Sequence, residues 1–188
     1  MRILITGDFH IPTRARDIPE QIASKMREKS YDLILCTGDL TSERMLEKLS
    51  EIAPVKYVVG NMDYIDGPFE EKITVGDITI GLIHGTEIYP RGDINKLYNK
   101  AVKMGVDILV SGHTHSLNLC LRGGKLFLNP GSATGVWGGG PASLRPSFIA
   151  LEIKGRAIKV ECFELKGGKL IEREFLFRKK GENVISVK

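Results

Sequence analysis

The amino-acid sequence predicts an α/β fold, a four-layer-like αββα sandwich of two mixed β-sheets flanked by helices, and three observations lead to it. Short apolar runs alternate with amphipathic stretches of helical period as far as Val59, the pattern of a parallel sheet with helices packed on it. Around Gly76-Asp77 this alternation gives way to an antiparallel hairpin. Beyond residue 116 the chain is rich in strand signals, punctuated by glycine pairs.

Taken in order, Arg2 to Thr6 is an apolar run ending at Gly7 and reads as a buried strand. Pro19 suits a first helical position, and Ile22, Ala23 and Met26 recur at helical spacing, so residues 19–29 predict an amphipathic helix. Asp32 to Cys36 is the second strand. Thr41 or Ser42 can cap the next helix, whose apolar face is Met45, Leu46, Leu49 and Ile52, and Val55 to Val59 is the third strand. Lys72 to Val75 and Ile78 to Ile83 form the hairpin. Asp93 can cap a helix through Leu97, Ala101 and Met104, which Gly105 stops in the left-handed conformation. Asp107 to Val110 is a further strand, and later ones fall near 117–121, 125–128, 147–153, 157–165 and 169–177. The stretch from Gly135 to Pro141 reads as a mobile loop. Residues 1–178 read as a single domain and residues 179–188 as a frayed tail.

Hydrophobic residues make up 42% and charged residues 27%, a balance that excludes a disordered chain. No apolar run approaches the ~20 residues of a membrane span. The opening residues lack the cleavage site of a secretory signal, so the cytoplasm is the expected location. Cys36, Cys120 and Cys162 are odd in number and widely spaced, and read as buried thiols. The formal charge of +4 arises in residues 154–188, with ten Lys/Arg against five Asp/Glu. Those charges alternate in sign along strands, the pattern of a solvated sheet face, so no specific nucleic-acid binding is expected.

All four histidines follow predicted strands and stand beside glycine or aspartate, in Gly-Asp-Phe-His, Ile-His-Gly and Gly-His-Thr-His. Asp39 in Thr-Gly-Asp-Leu and Asn61 in Val-Gly-Asn-Met-Asp hold the same kind of position. Loops at the carboxyl ends of strands converge on one crevice in open α/β sheets, so these segments can meet. Asp8/His10 and His113/His115 are spaced i, i+2, which in extended backbone turns both side chains of a pair to one side. Imidazole and carboxylate without thiolate suit divalent first-row metals. Gly7, Gly38, Gly60, Gly85 and Gly112 read as bends that aim the following side chain inward.

Together these segments resemble the calcineurin-like metallophosphoesterase superfamily, in particular its small YfcE-type phosphodiesterases. The segments Thr-Val-Gly-Asp-Ile-Thr-Ile-Gly-Leu-Ile-His-Gly, Asp-Ile-Leu-Val-Ser-Gly-His-Thr-His and Asn-Pro-Gly-Ser-Ala-Thr-Gly also resemble the Vps29-type retromer subunit. The resemblance implies two divalent metal ions per chain, manganese first and nickel, zinc, iron or magnesium as alternatives. Asp8, His10, Asp39 and His115 would hold one ion, and Asp39, Asn61, His84 and His113 the other, with Asp39 shared. It also implies attack on phosphorus by a hydroxide held between the ions, with Asn61 and His84 near the substrate. Two dications against two carboxylates leave the crevice positive, which suits a small phosphoester.

Many members of that superfamily place a histidine after the asparagine to protonate the leaving group; here Met62 stands there. Asp63 reads as a carboxylate supporting the ligands from behind. Ser132 within Asn129 to Thr134, Arg91 and Arg145 are candidate phosphate contacts, with a structural turn and solvated arginines as the alternatives. Trp137 could rim the cleft or form an oligomer contact, so a homo-oligomer stays open. The rival to an enzyme is a Vps29-like scaffold subunit. A nuclease for long DNA would need an extended basic groove that the interleaved charges do not form.

Overall fold

A computed structural model describes residues 1–187; Lys188 lies outside the described residues. The strands are β1 (Arg2–Thr6), β2 (Leu33–Cys36), β3 (Val55–Tyr57), β4 (Glu70–Val75), β5 (Ile78–Ile83), β6 (Ile108–Ser111), β7 (Leu117–Arg122), β8 (Lys125–Pro130), β9 (Ser147–Lys154), β10 (Ala157–Lys166), β11 (Lys169–Lys180) and β12 (Asn183–Ser186). The helices are α1 (Glu20–Arg27), α2 (Glu43–Ser50) and α3 (Ile94–Met104). One sheet has the order β12-β11-β10-β9-β1-β2-β3 and the other β4-β5-β6-β8-β7. Both are mixed: β1-β2-β3 and β5-β6-β8 run parallel, and the remaining neighbours antiparallel.

The layering follows from apolar residues on both faces of the central strands. Along β1, Ile3 and Ile5 enter the core between the sheets, while Leu4 faces the opposite way, into the cluster with Ile22, Met26, Met45 and Leu49 of α1 and α2. β2 repeats this with Leu33 and Leu35 against Ile34 and Cys36. In the other sheet Ile80, Leu82, Ile108, Val110, Leu126 and Leu128 meet the shared core. Leu109 and Phe127 turn outward to Leu97 and Ala101 of α3. Period-two side chains on doubly covered strands therefore build the predicted αββα sandwich.

The local signals have mixed outcomes. Asp93 caps α3 by accepting from the amides of Asn95 and Lys96, and Gly105 ends it at φ 63°, ψ 48°. Pro19 stands at the N-cap of α1 rather than inside it, and Ser42 at the N-cap of α2 makes no side-chain capping bond. Thr41 instead donates its hydroxyl to the Ile11 carbonyl at 2.6 Å. Of the thiols, Cys36 and Cys162 are buried and Cys120 is half-buried.

The expected frayed tail is corrected. β11 runs on to Lys180, and β12 returns antiparallel to it. Val184 is 1% exposed within the inter-sheet core, and its amide donates to the Gly124 carbonyl of the other sheet at 2.7 Å. Lys179 Nζ reaches Asp107 Oδ2 at 2.8 Å, next to β6. The C-terminal strands thus stitch the two sheets together. The expected mobile loop is also tied down: Arg14 donates to the Trp137 carbonyl at 2.7 Å and Arg91 to the Gly138 carbonyl at 2.9 Å.

Candidate metal centre

Five strands deliver the candidate ligands at their carboxyl ends. Asp8 and His10 follow β1, Asp39 follows β2, Asn61 follows β3, His84 follows β5, and His113 and His115 follow β6. The two sheets meet here through the His113 amide, which donates to both Asp8 carboxylate oxygens at 3.2 and 3.1 Å.

The backbone carries the strongest local signature. Asp8, His10, Asp39, His113 and His115 have φ between 49° and 66°, and the other non-glycine residues with positive φ among the described residues are Thr41 and Leu144. The left-handed region costs a side-chain-bearing residue about 1–2 kcal/mol, so five of the seven candidates sit on strained backbone that the fold must hold. This corrects the extended i, i+2 reading. His113 and His115 do not serve one cluster, since His115 Nε2 lies 3.1 Å from His10 Nε2 while His113 Nδ1 lies 3.1 Å from His84 Nε2.

Of the five glycines read as bends, Gly38 and Gly85 have positive φ, and the others answer to close approach. Gly112 is required by proximity: a Cβ there would stand 2.6 Å from Thr37 Oγ1 and 2.7 Å from Asp8 Oδ2. A Cβ on Gly60 would collide with the Asp39 carboxylate.

The first cluster comprises Asp8, His10, Asp39 and His115, all buried, with ligand atoms within 4.8 Å of one another. That spread is close to what atoms about 2.0–2.2 Å from a common ion occupy. His10 Nε2 is 3.2 Å from Asp39 Oδ2, and His115 Nε2 is 3.3 Å from Asp8 Oδ1. In the second cluster His84 Nε2 faces Asn61 Oδ1 at 3.1 Å, His113 Nδ1 at 3.1 Å and Asp39 Oδ2 at 3.6 Å.

Carbonyls fix two of the rings. A carbonyl can only accept, so His84 Nδ1 donates to Thr37 O at 2.7 Å and His115 Nδ1 donates to Val136 O at 2.6 Å. In each neutral ring Nε2 then offers a lone pair to the centre, the arrangement a metal-binding histidine requires. Around His84 Nε2 the oxygens of Asn61 and Asp39 are acceptors as well. Lone pairs converging without protons between them are mutually repulsive unless a cation lies among them, and the donor set therefore fits divalent metal.

Charges agree. Burial pushes the Asp39 carboxyl up, but the His10 hydrogen bond and the nearby His84 outweigh it and hold it down to about 2. Burial, with His84 and Arg91 close by, lowers His113 to about 4, which leaves its ring neutral at pH 7. Burial would also lower His115, but the hydrogen bond to Asp8 prevails and raises it, so that ring holds a proton more readily than a free imidazole does and a cation at Nε2 would have to displace it.

The support behind the ligands was only partly legible. Asp63 accepts three backbone amides at 2.8 Å, those of Asp39, Thr41 and Gly60, and so ties the loop after β2 to the loop after β3. The Met62 amide donates to Asp39 Oδ1 at 2.9 Å. Ser132 is fully buried and donates its hydroxyl to the Asp8 carbonyl at 2.7 Å, and Thr134 donates to Phe9 O at 2.9 Å. Asn129 bonds Gly112 O and Thr114 Oγ1. The 129–134 turn therefore holds the ligand loops from behind, with the Ser132 hydroxyl turned away from the cleft. Arg91 bonds the carbonyls of His113 and Gly138, and Arg145 pairs with Glu164 at 3.4 Å. Trp137 is 59% exposed. The carbonyls of Thr37 and Val136, which set the ring orientations, carry no signal in the sequence.

Comparison with known proteins places the chain in a family. The model of the calcineurin-like phosphoesterase superfamily domain matches residues 1–156. A probable metallophosphoesterase of Methanothermobacter thermautotrophicus is 38% identical over 95% of this chain and 100% of its own length. Among solved structures, a variant of Vps29 from Entamoeba histolytica superposes with a TM-score of 0.88 at 36% identity, covering 95% of this chain and 100% of that one. The wild-type protein from the same organism, solved in complex with zinc, gives 0.84 at 36% identity over 93% and 98%. No helix among the described residues is long and apolar enough to cross a membrane. With a family model spanning most of its length and a metallophosphoesterase relative aligned nearly end to end, the chain belongs to the calcineurin-like phosphoesterase superfamily.

Proposed function

We propose that this chain is a phosphodiesterase-like hydrolase of small phosphoesters, working with two divalent cations. The observation that carries the reading is the convergence of two buried carboxylates, four imidazoles and Asn61 from five strand ends, with lone pairs directed at common points. Asp8, His10, Asp39 and His115 would hold one cation, and Asp39, Asn61, His84 and His113 the other. Bound there, the cations would supply an activated water at neutral pH and neutralise charge on the phosphoryl oxygens.

The chain's own residues do the rest. Asp39, oriented by the Met62 amide, holds the two clusters in register. Asn61 is exposed, so its amide can contact a phosphoryl oxygen as well as a cation. His84 is kept in one tautomer by the Thr37 carbonyl and presents Nε2 beside Asn61. Met62 provides no proton for a leaving group, which favours esters whose leaving group departs as a stable anion.

A Vps29-like scaffold is the second reading, favoured by the likeness to Vps29 structures along nearly the whole chain. The full ligand set weighs toward an enzyme. The test is a manganese titration by calorimetry together with hydrolysis assays on mono- and diesters. We expect about two ions per chain and turnover of an aryl diester. Saturation at one ion would overturn the two-metal reading, and two ions with no hydrolysis of any ester would leave the scaffold.

A further inference from the structure

We infer that the hollow beside Asn61 and His84 is a subsite for one ester arm of the substrate, and that it selects an uncharged aromatic arm through Phe69. This rests on the phosphoesterase reading above and names the substrate class for that same centre. A cavity of about 480 Å³ is lined at one end by Asn61 and His84 themselves. A group bonded to a phosphorus held at those residues therefore has this hollow beside it.

Phe69 lines the same cavity and is 81% exposed. It stands just before β4, and its neighbour Pro68 accepts the Val59 amide at 2.9 Å, which fixes the segment against the loop that carries Asn61. An aromatic ring left in water beside a polar centre offers a face for stacking. The charges of the cavity decide what kind of ring. Lys100 is held between Glu70 at 2.7 Å and Glu87 at 3.4 Å, so its ammonium is committed to the wall. Two glutamates against one lysine leave the lining at net −1. A second phosphate or a carboxylate on the arm would meet that charge, whereas a neutral ring would not.

The experiment uses phosphonates, whose carbon–phosphorus bond the reaction does not cleave, titrated into the manganese-loaded chain by calorimetry. Phenylphosphonate should bind more tightly than methylphosphonate by roughly three- to tenfold, the range of an aromatic contact. Phe69→Ala should erase that preference without weakening methylphosphonate, and Phe69→Tyr should keep it. A carboxylate para on the phenyl ring should cancel the preference, and Glu87→Gln should restore part of it. Equal binding of phenyl- and methylphosphonate in the wild type would overturn the subsite while leaving the phosphoesterase reading intact. A phenyl preference that survives in Phe69→Ala would overturn the role of Phe69. Failure of both phosphonates to bind would remove the phosphoester centre, and the subsite with it.

Discussion

Asp63→Asn separates the candidate ligands from what holds them. In the native chain one carboxylate oxygen accepts the Asp39 and Gly60 amides and the other accepts the Thr41 amide, each at 2.8 Å. Asparagine can keep its oxygen toward the first two, now as neutral hydrogen bonds. Its NH2 then faces the Thr41 N–H, donor against donor. A charge-assisted bond is worth about 1.5–3 kcal/mol and a neutral one about 1. One bond lost and two weakened at a half-buried site amount to about 2–4 kcal/mol. Asp39 at φ 51° and Thr41 at φ 61° are both held by this carboxylate, so the loop is also freed to relax.

For a chain of this length each kcal/mol moves the melting temperature by about 2–4 °C, which gives a fall of roughly 5–15 °C. The measurement is thermal unfolding in excess chelator, so that metal plays no part. Asp39→Asn is the comparison: asparagine tolerates positive φ and can still accept the Met62 amide. Asp39→Asn should lose more metal affinity and more activity than Asp63→Asn does, and it also forfeits the stability that His10 and His84 lend the Asp39 carboxylate. Asp63→Asn should lose only the ~10- to 100-fold usual for groups behind the ligands. A metal-free Asp63→Asn that melts within about 2 °C of wild type would refute the clamp.

Three further expectations follow from other parts of the molecule. Diesters with an activated aryl leaving group should be cleaved far faster than alkyl ones, and Met62→His should raise kcat/KM most for the alkyl ester; wild-type rates independent of leaving-group basicity would show that protonation does not limit turnover. The ion pair with Lys179, together with Thr79, outweighs burial and lowers the Asp107 carboxyl. A depressed carboxyl contributes stability above its unfolded value of about 3.9 and loses it as pH falls through the folded value. Lys179→Met should therefore lower the melting temperature at pH 7 and approach wild type below about pH 4, and a gap that does not narrow would count against the pair. Leu144 holds φ 55° while 60% exposed, so Leu144→Asn should raise the melting temperature, by up to about 2–4 °C; a fall would mean its side chain packs more than its exposure suggests.

The order of strands and helices was legible because doubly buried strands such as Ile3-Leu4-Ile5 and Leu33-Ile34-Leu35 read as continuous apolar runs bounded by glycine or polar turns. β12 was not. Within Asn183–Ser186 only Val184 is buried, and lysines and Glu182 before it read as a solvated end. The candidate ligands were legible as residue types at strand ends. Their pairing across the cleft was not, because it depends on left-handed turns at Asp8, His10, Asp39, His113 and His115, and residues with side chains do not announce such turns. Ser132 was open between two readings for a related reason: a hydroxyl in a glycine-flanked turn looks the same in sequence whether it faces a ligand or, as here, a backbone carbonyl.

β1 lies in the middle of its sheet, with β2 parallel on one side and β9, from residue 147 onward, antiparallel on the other. During synthesis this first strand must wait for most of the chain before its second neighbour exists. Until then a strand whose centre, Ile3-Leu4-Ile5, is apolar has one unpaired edge, a template for pairing with other chains. In the loop that follows it, the Asp8 and Phe9 carbonyls accept the hydroxyls of Ser132 and Thr134, residues made much later. A growing chain therefore carries the candidate ligands Asp8 and His10 long before His113 and His115 exist to complete either cluster.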